Sequence, residues 1–169
     1  MNRAIRFAAL CVGVLLTASI PMSAGARKAL VHRRAPEFVR SDLAGATIDL
    51  RRYRGKVVLL NFWATWCAPC QVEMPRFAEW QRRYAGDGLQ VIAISMDDDV
   101  APVRQFARDG QFDFPVVMGD ENLGTLYGGI LGLPITYLIA RDGKVTARFA
   151  GETDLHGLEQ RILELLAEH

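Results

Sequence analysis

The sequence predicts an α/β domain in which a mixed central sheet is flanked by helices on both faces. Three observations predict it. The apolar runs Val57–Trp63, Leu89–Ser95 and Ile135–Ala140 have strand length and are rich in β-branched and aromatic residues, as strands buried on both faces are. Segments with helical spacing of apolar residues separate them. The chain then finishes as a turn-linked hairpin followed by a last helix, an order that implies a sheet of mixed direction.

The 169 residues amount to one domain. Half are hydrophobic and 23% are charged, enough for an ordinary buried core. Arg3 and Arg6 are the only charges before Arg27, which leaves 18 basic and 19 acidic side chains in the remainder. That balance provides no basic face of the kind nucleic acid requires, so nucleic-acid binding is excluded as a reading.

Residues 1–26 have the make-up of an export signal. Arg3 and Arg6 precede an uncharged apolar run of 14 residues, Phe7–Ile20, which Pro21 breaks. Small residues follow, and Ala24-Gly25-Ala26 fits a cleavage site after Ala26. The alternative is an uncleaved anchor. Fourteen residues fall short of the ~20 that a spanning helix prefers, but counting on to Ala26 reaches that length. Either reading places the domain outside the cytoplasm, in a periplasmic or comparable compartment. Cys11 lies inside the apolar run, which leaves Cys67 and Cys70 as the thiols of the mature chain.

Residues 27–34 are short and basic and read as a mobile leader before a domain spanning 35–169. Glu37–Leu50 reads as two extended pieces joined at Leu43-Ala44-Gly45. After the first long strand, Pro69–Tyr84 has Met74, Phe77, Ala78 and Tyr84 near one helical face, and Gly86-Asp87-Gly88 stops it. Pro75 inside that helix removes a hydrogen bond and should kink the axis. Asp97-Asp98-Asp99 reads as a solvated turn leading into a helix over Val100–Arg108. Phe114–Met118 is a short extended piece and Glu121–Tyr127 a short helix. The turn Arg141-Asp142-Gly143-Lys144 joins the third strand to Val145–Phe149. Leu155–Ala167 is the final helix, with Leu158, Ile162, Leu165 and Leu166 on one side.

Trp66-Cys67-Ala68-Pro69-Cys70 lies between a buried strand and a helix. Residues three apart on a helix share a face, so the two sulfurs can meet. A cysteine at the helix start faces unpaired backbone N–H groups and the positive end of the dipole, which favours thiolate over thiol. Cys67 is then the attacking thiol and Cys70, one turn in, the resolving one. Pro69 suits the first turn, where a missing N–H costs nothing. Three blander readings stand beside this one. Zinc needs about four ligands, and His32, His156 and His169 have no paired spacing. A structural disulfide closing so short a loop contributes only about 2 kcal/mol. Two inert buried thiols would tend to oxidise outside the cytoplasm.

The segment Asn61-Phe62-Trp63-Ala64-Thr65-Trp66-Cys67-Ala68-Pro69-Cys70 resembles the active-site segment of the thioredoxin superfamily, in its TlpA/ResA-like branch of exported thiol:disulfide oxidoreductases. Ala35-Pro36-Glu37-Phe38, Tyr53–Leu60, Glu73-Met74-Pro75 and Gly132–Ile139 carry the likeness over nearly everything from Ala35 onward. The resemblance implies a thioredoxin-like fold with an N-terminal hairpin and an inserted helix–strand unit around Val100–Met118. It implies that Pro134 is a cis-proline facing the cysteine pair, with Leu133 beside it exposing backbone groups to a partner segment. The family usually has Thr directly after this proline, where this chain has Ile135.

Alone, Glu73 reads as a solvated helix residue able to pair with Arg76. In the resembled branch a glutamate at this position assists proton transfer, and Asn61 strengthens that reading, because thioredoxin itself has a buried aspartate there and an amide cannot titrate. Trp66, Ala68 and Pro69, with Leu133 and Pro134, are the expected partner-binding residues; Cys67, Cys70 and Glu73 are the expected catalytic ones. The expected activity is disulfide exchange with exported proteins as a reductant, apocytochrome c being an example, supplied by a membrane thiol electron donor. No bound cofactor or metal is expected, since the cysteines carry the redox equivalents. Two rival functions are a peroxiredoxin-like peroxidase, which needs a distant resolving cysteine, and a metal-delivery or chaperone module holding copper on the two thiolates.

Overall fold

The computed structural model describes residues 30–168. The expected export segment, residues 1–26, lies outside them. The elements run β1 (Val39–Ser41), β2 (Thr47–Asp49), β3 (Val57–Trp63), α1 (Ala68–Tyr84), β4 (Leu89–Ser95), α2 (Val100–Asp109), β5 (Val116–Met118), α3 (Glu121–Leu126), β6 (Ile135–Ile139), β7 (Val145–Ala150) and α4 (Leu155–Ala167). Five strands form the central sheet in the order β5-β4-β3-β6-β7. β3, β4 and β5 are parallel, while β6 is antiparallel to both β3 and β7.

Every residue of β3 is buried. Alternate side chains of a strand point to opposite faces, so β3 supplies both halves of the core. Val57, Leu59 and Trp63 face Met74, Phe77 and Trp80 of α1 together with Leu158 and Ile162 of α4. Val58, Leu60 and Phe62 face the other way, against Phe38, Leu123, Tyr127 and Tyr137. This is why the run reads as uninterrupted hydrophobicity rather than alternation.

β1 and β2 form a separate two-stranded sheet. Their turn is set by Asp42, whose Oδ1 accepts from the amides of Ala44 (2.9 Å) and Ala46 (2.8 Å). The Leu43 amide donates to Val116 O at 2.9 Å, so the hairpin covers part of the β5 edge.

Residues 30–34, expected to be part of a mobile leader, are instead held against the opposite edge. His32 N donates to Val145 O (2.7 Å), Val145 N to Arg33 O (2.8 Å) and Ala35 N to Gly143 O (3.0 Å). The start of edge strand β7 offers unpaired backbone groups, and Leu30 and Val31 cover apolar surface of the second core. Basic composition concealed these two aliphatic anchors.

At the pole where β3 begins, Arg141 ties three elements together. Its guanidinium donates to the carbonyls of Gly55 (2.9 Å), Asp87 (3.1 Å), Leu166 (3.0 Å) and Glu168 (3.1 Å). Arg141→Ala should lower unfolding stability by about 2 kcal/mol, read from denaturant midpoints, because charge-assisted bonds at helix and strand ends are lost together. A change below a few tenths of a kcal/mol would show that water replaces the guanidinium fully.

Candidate active site

β3 ends at Trp63, and the chain turns through Ala64–Trp66 before α1 begins. Cys67 is the N-cap of α1, with extended backbone (φ −87°, ψ 104°), and its N–H donates to Ala64 O at 3.2 Å. The Cys70 amide points at Cys67 Sγ at 3.3 Å. Such a contact is available only at a helix start, where the first N–H groups have no intrahelical acceptor. The two cysteines form a disulfide of 2.06 Å across a Cα separation of 5.2 Å. Cys70 is 1% exposed and Cys67 only 5%, less than the accessible sulfur expected from sequence, because both belong to the core cluster under α1. Trp66 is 69% exposed beside them. Ala68 is exposed and Pro69 half-buried.

The Leu133–Pro134 peptide bond is cis. Pro134 is buried and its carbonyl accepts from Gly151 N at 2.9 Å, which ties the end of β7 to this loop. Leu133 is half-buried and packs against the cluster that contains Cys67 and Cys70.

Glu73 is not the solvated residue its helical spacing permits. Arg76 pairs with Glu79 instead, at 2.7 Å. Glu73 turns inward and is 3% exposed. Its Oε1 accepts from Thr153 N at 3.2 Å, while Oε2 is buried with no partner among the described residues. Burial pushes its pKa up; the Thr153 bond acts the other way and the Glu152 charge adds to the rise. Ala68, Pro69, Val72, Glu73 and Thr153 line a cavity of about 310 Å³. On the strand behind, Asn61 Nδ2 donates to Thr136 Oγ1 at 2.9 Å, and its Oδ1 is buried with no partner among the described residues.

Asp97 corrects the sequence reading of its acidic run. Asp98 and Asp99 are exposed, and Asp99 caps α2 by accepting from Ala101 N at 3.0 Å. Asp97 is buried. Its Oδ1 accepts from Thr65 Oγ1 (2.6 Å), and its Oδ2 from Thr65 N (3.0 Å) and Ser95 Oγ (2.8 Å). Gln71 Nε2 holds the other side of the same residue, donating to Thr65 O at 2.6 Å. The loop that delivers Cys67 is thus gripped two residues before the sulfur. Sequence gave no sign of a contact spanning 32 positions; the one available hint was a Ser and an Asp together at a strand end.

Among the described residues, no group of three or more His, Cys, Asp or Glu side chains is placed to hold a metal ion. A Cys-x-x-Cys disulfide at the start of a helix, next to a cis-proline loop on a mixed five-stranded sheet, defines a thioredoxin-fold redox protein. The AhpC/TSA family model matches residues 31–148. The ResA thiol-disulfide oxidoreductase of Bacillus cereus is 37% identical over 159 residues, 93% of this chain and 91% of its own. ResA of Geobacillus thermodenitrificans is 37% identical over 132 residues, covering 78% and 76%. A thiol:disulfide interchange protein of the thioredoxin family from Chlorobium tepidum superposes with a TM-score of 0.74 at 25% identity, over 79% of this chain and 96% of that one. The chain belongs to the AhpC/TSA family and, within it, to the ResA-like thiol–disulfide oxidoreductases.

Two expectations follow from this geometry. Asp97→Ala strands the Thr65 and Ser95 donors and should cost on the order of 2 kcal/mol in denaturant unfolding; an unchanged midpoint would mean the network is dispensable. Glu73→Gln should raise the melting temperature at neutral pH. The wild-type carboxyl binds its proton more tightly when folded, so its penalty appears as pH rises through the raised pKa and vanishes below the ordinary glutamate range. Melting curves of the two proteins should converge at low pH, and a gap that is the same at every pH would refute a titrating Glu73.

Proposed function

We propose that this chain is an exported reductant of protein disulfides, acting outside the cytoplasm on partners such as apocytochrome c and recharged by a membrane thiol donor. The observation that carries the disulfide chemistry is the asymmetric pair, with Cys67 Sγ facing the Cys70 amide at the helix start and Cys70 enclosed behind it. In the reduced protein, that amide and the helix dipole favour the Cys67 thiolate. The thiolate attacks a sulfur of the partner disulfide; a Cys67–partner bond forms, and the departing partner sulfur takes up a proton. Cys70, deprotonated, then attacks Cys67 Sγ and releases the second partner thiol. The partner gains two electrons and two protons, and the chain is left as the Cys67–Cys70 disulfide.

Cys67 is the nucleophile in this scheme and Cys70 the resolving thiol. Glu73 receives the Cys70 proton, and its unpartnered Oε2 supports that role because no protein donor competes for it. Trp66, Ala68 and Pro69 on one side, and Leu133 and Pro134 on the other, form the surface on which a partner segment lies. The redox equivalents reside in the two sulfurs, so the reaction requires no bound cofactor. The apolar run before Pro21 and the small residues before Arg27 support export, and disulfide exchange is chemically suited to such a compartment.

The test is the reduction potential of the pair in a thiol redox buffer. A value near or below about −250 mV is expected, whereas one near −120 mV would make the protein an oxidant. In parallel, Cys70→Ser should accumulate a mixed disulfide through Cys67, and Cys67→Ser should abolish exchange. Glu73→Gln should flatten the pH dependence of the resolving step measured by stopped flow; an unchanged profile would remove Glu73 from proton transfer.

A further inference from the structure

Two grooves flank the corner where β7 ends, and they differ in charge. One, of about 310 Å³, contains Ala68, Pro69 and Val72 of α1, and among the described residues its only ionisable lining residues are Glu73 and Glu152. The other, of about 370 Å³, runs along the cis-proline loop through Leu131, Gly132 and Leu133, and among the described residues its only ionisable lining residue is Arg148. Gly151 lines the second groove and Glu152 the first, so the grooves meet at adjacent residues. The corner is fixed to the reactive loop by the bond from Gly151 N to Pro134 O.

Among the described residues these charges are uncompensated. Arg148 makes no ion pair among the described residues; its Nε donates to Tyr137 Oη at 3.2 Å and its guanidinium lies over the Tyr137 ring, 5.9 Å from the centroid. Those contacts place the side chain and leave both Nη atoms without a protein acceptor among the described residues. Glu152 is exposed and likewise has no ion-pair partner among them. Each groove also presents a bare aliphatic residue, Val72 in the acidic one and Leu131, 74% exposed, in the basic one.

We infer that the two grooves read opposite charges on a partner polypeptide, selecting a cysteine flanked by an acidic residue on the Arg148 side and a basic residue on the Glu152 side. The inference rests on the disulfide exchange proposed above and adds to it a direction. A segment that pairs with the Pro134 loop in strand fashion has its direction set by the backbone hydrogen bonds, so one order of charges along it brings both pairs into register and the reverse order does not. Complementary charge at a rim acts mostly on selection and encounter rate. Arg148 and Glu152 are therefore specificity residues, separate from the sulfur chemistry.

The experiment uses the full chain, pre-reduced, in single-turnover reaction with three synthetic peptides, each holding its one cysteine as a mixed disulfide with mercaptoethanol. One carries Glu before and Arg after the cysteine, the second carries them in reverse order, and the third is neutral. Reduced Cys67 and Cys70 give up two electrons, becoming the disulfide, and the peptide thiol and mercaptoethanol are released. One charged order should react about fivefold faster than its reverse at low salt, the scale of one or two exposed ion pairs, and the difference should shrink as salt rises. Arg148→Gln, which removes the charge, should reduce the preference, and Arg148→Glu with Glu152→Arg should invert it. Equal rates for the two orders, or a preference that both variants leave intact, would overturn the inference while reduction of the neutral peptide upholds the exchange reading. Failure to reduce even the neutral peptide would overturn both.

Discussion

The placement of β3 is the constraint on which the rest of the structure depends. It is hydrogen-bonded on both edges, parallel to β4 and antiparallel to β6, and buried on both faces. A slip of one residue would exchange the side chains of the two cores, so its register is fixed by packing as well as by hydrogen bonds. Its C-terminal end therefore delivers Cys67 to one defined place. β4 ends beside it, with Trp63 opposite Ser95, and β6 begins there, just after Pro134. The cysteine loop, the Asp97 clamp and the cis-proline loop are three strand ends at a single pole.

Two buried carboxylates at that pole are equipped for different work. Asp97 accepts from the amide and hydroxyl of Thr65 and from the hydroxyl of Ser95, so both of its oxygens are engaged. Glu73 accepts a single bond from Thr153 and has one oxygen with no donor among the described residues. A carboxylate with its lone pairs filled holds geometry, and one left half-filled in a desolvated site is disposed to take up a proton. Asn61, buried behind the motif, carries an amide, which does not titrate. Local hydrogen bonding thus distinguishes two residues of the same chemical type: Asp97 anchors the Thr65 loop, while burial pushes the Glu73 pKa up.

Much of the fold was legible because the signals are local. The continuous apolar runs, the helical spacing of Met74, Phe77 and Ala78, and the Cys-x-x-Cys pair at a strand–helix junction are each visible within a few residues. What was not legible depends on partners distant in the chain. Asp97 looks like one of three solvated acids until Thr65 is brought to it, and Arg76 looks like the partner of Glu73 until burial turns the carboxylate toward Thr153. The segment 30–34 was read from its charges, whereas Leu30 and Val31 and the free edge of β7 decide where it lies. In each case composition reported the side chain's preference in water, and the fold supplied a neighbour that outweighed it.

The two poles of the sheet show where stability is concentrated and where it is given up. At the pole away from the cysteines, Arg141 satisfies four carbonyls and the 30–35 segment occupies the start of β7. At the reactive pole, Glu73 Oε2 and Asn61 Oδ1 are buried without partners among the described residues, and Trp66 and Leu131 stand in solvent. Each buried unsatisfied group costs roughly 1–3 kcal/mol, a substantial part of the margin by which a small domain is folded. Such groups persist where the surrounding structure holds them in place, and here that hold comes from β3 and the cores on either side of it. That packing is what permits the reactive pole to keep, among the described residues, an unpartnered carboxylate oxygen and bare apolar side chains around a disulfide.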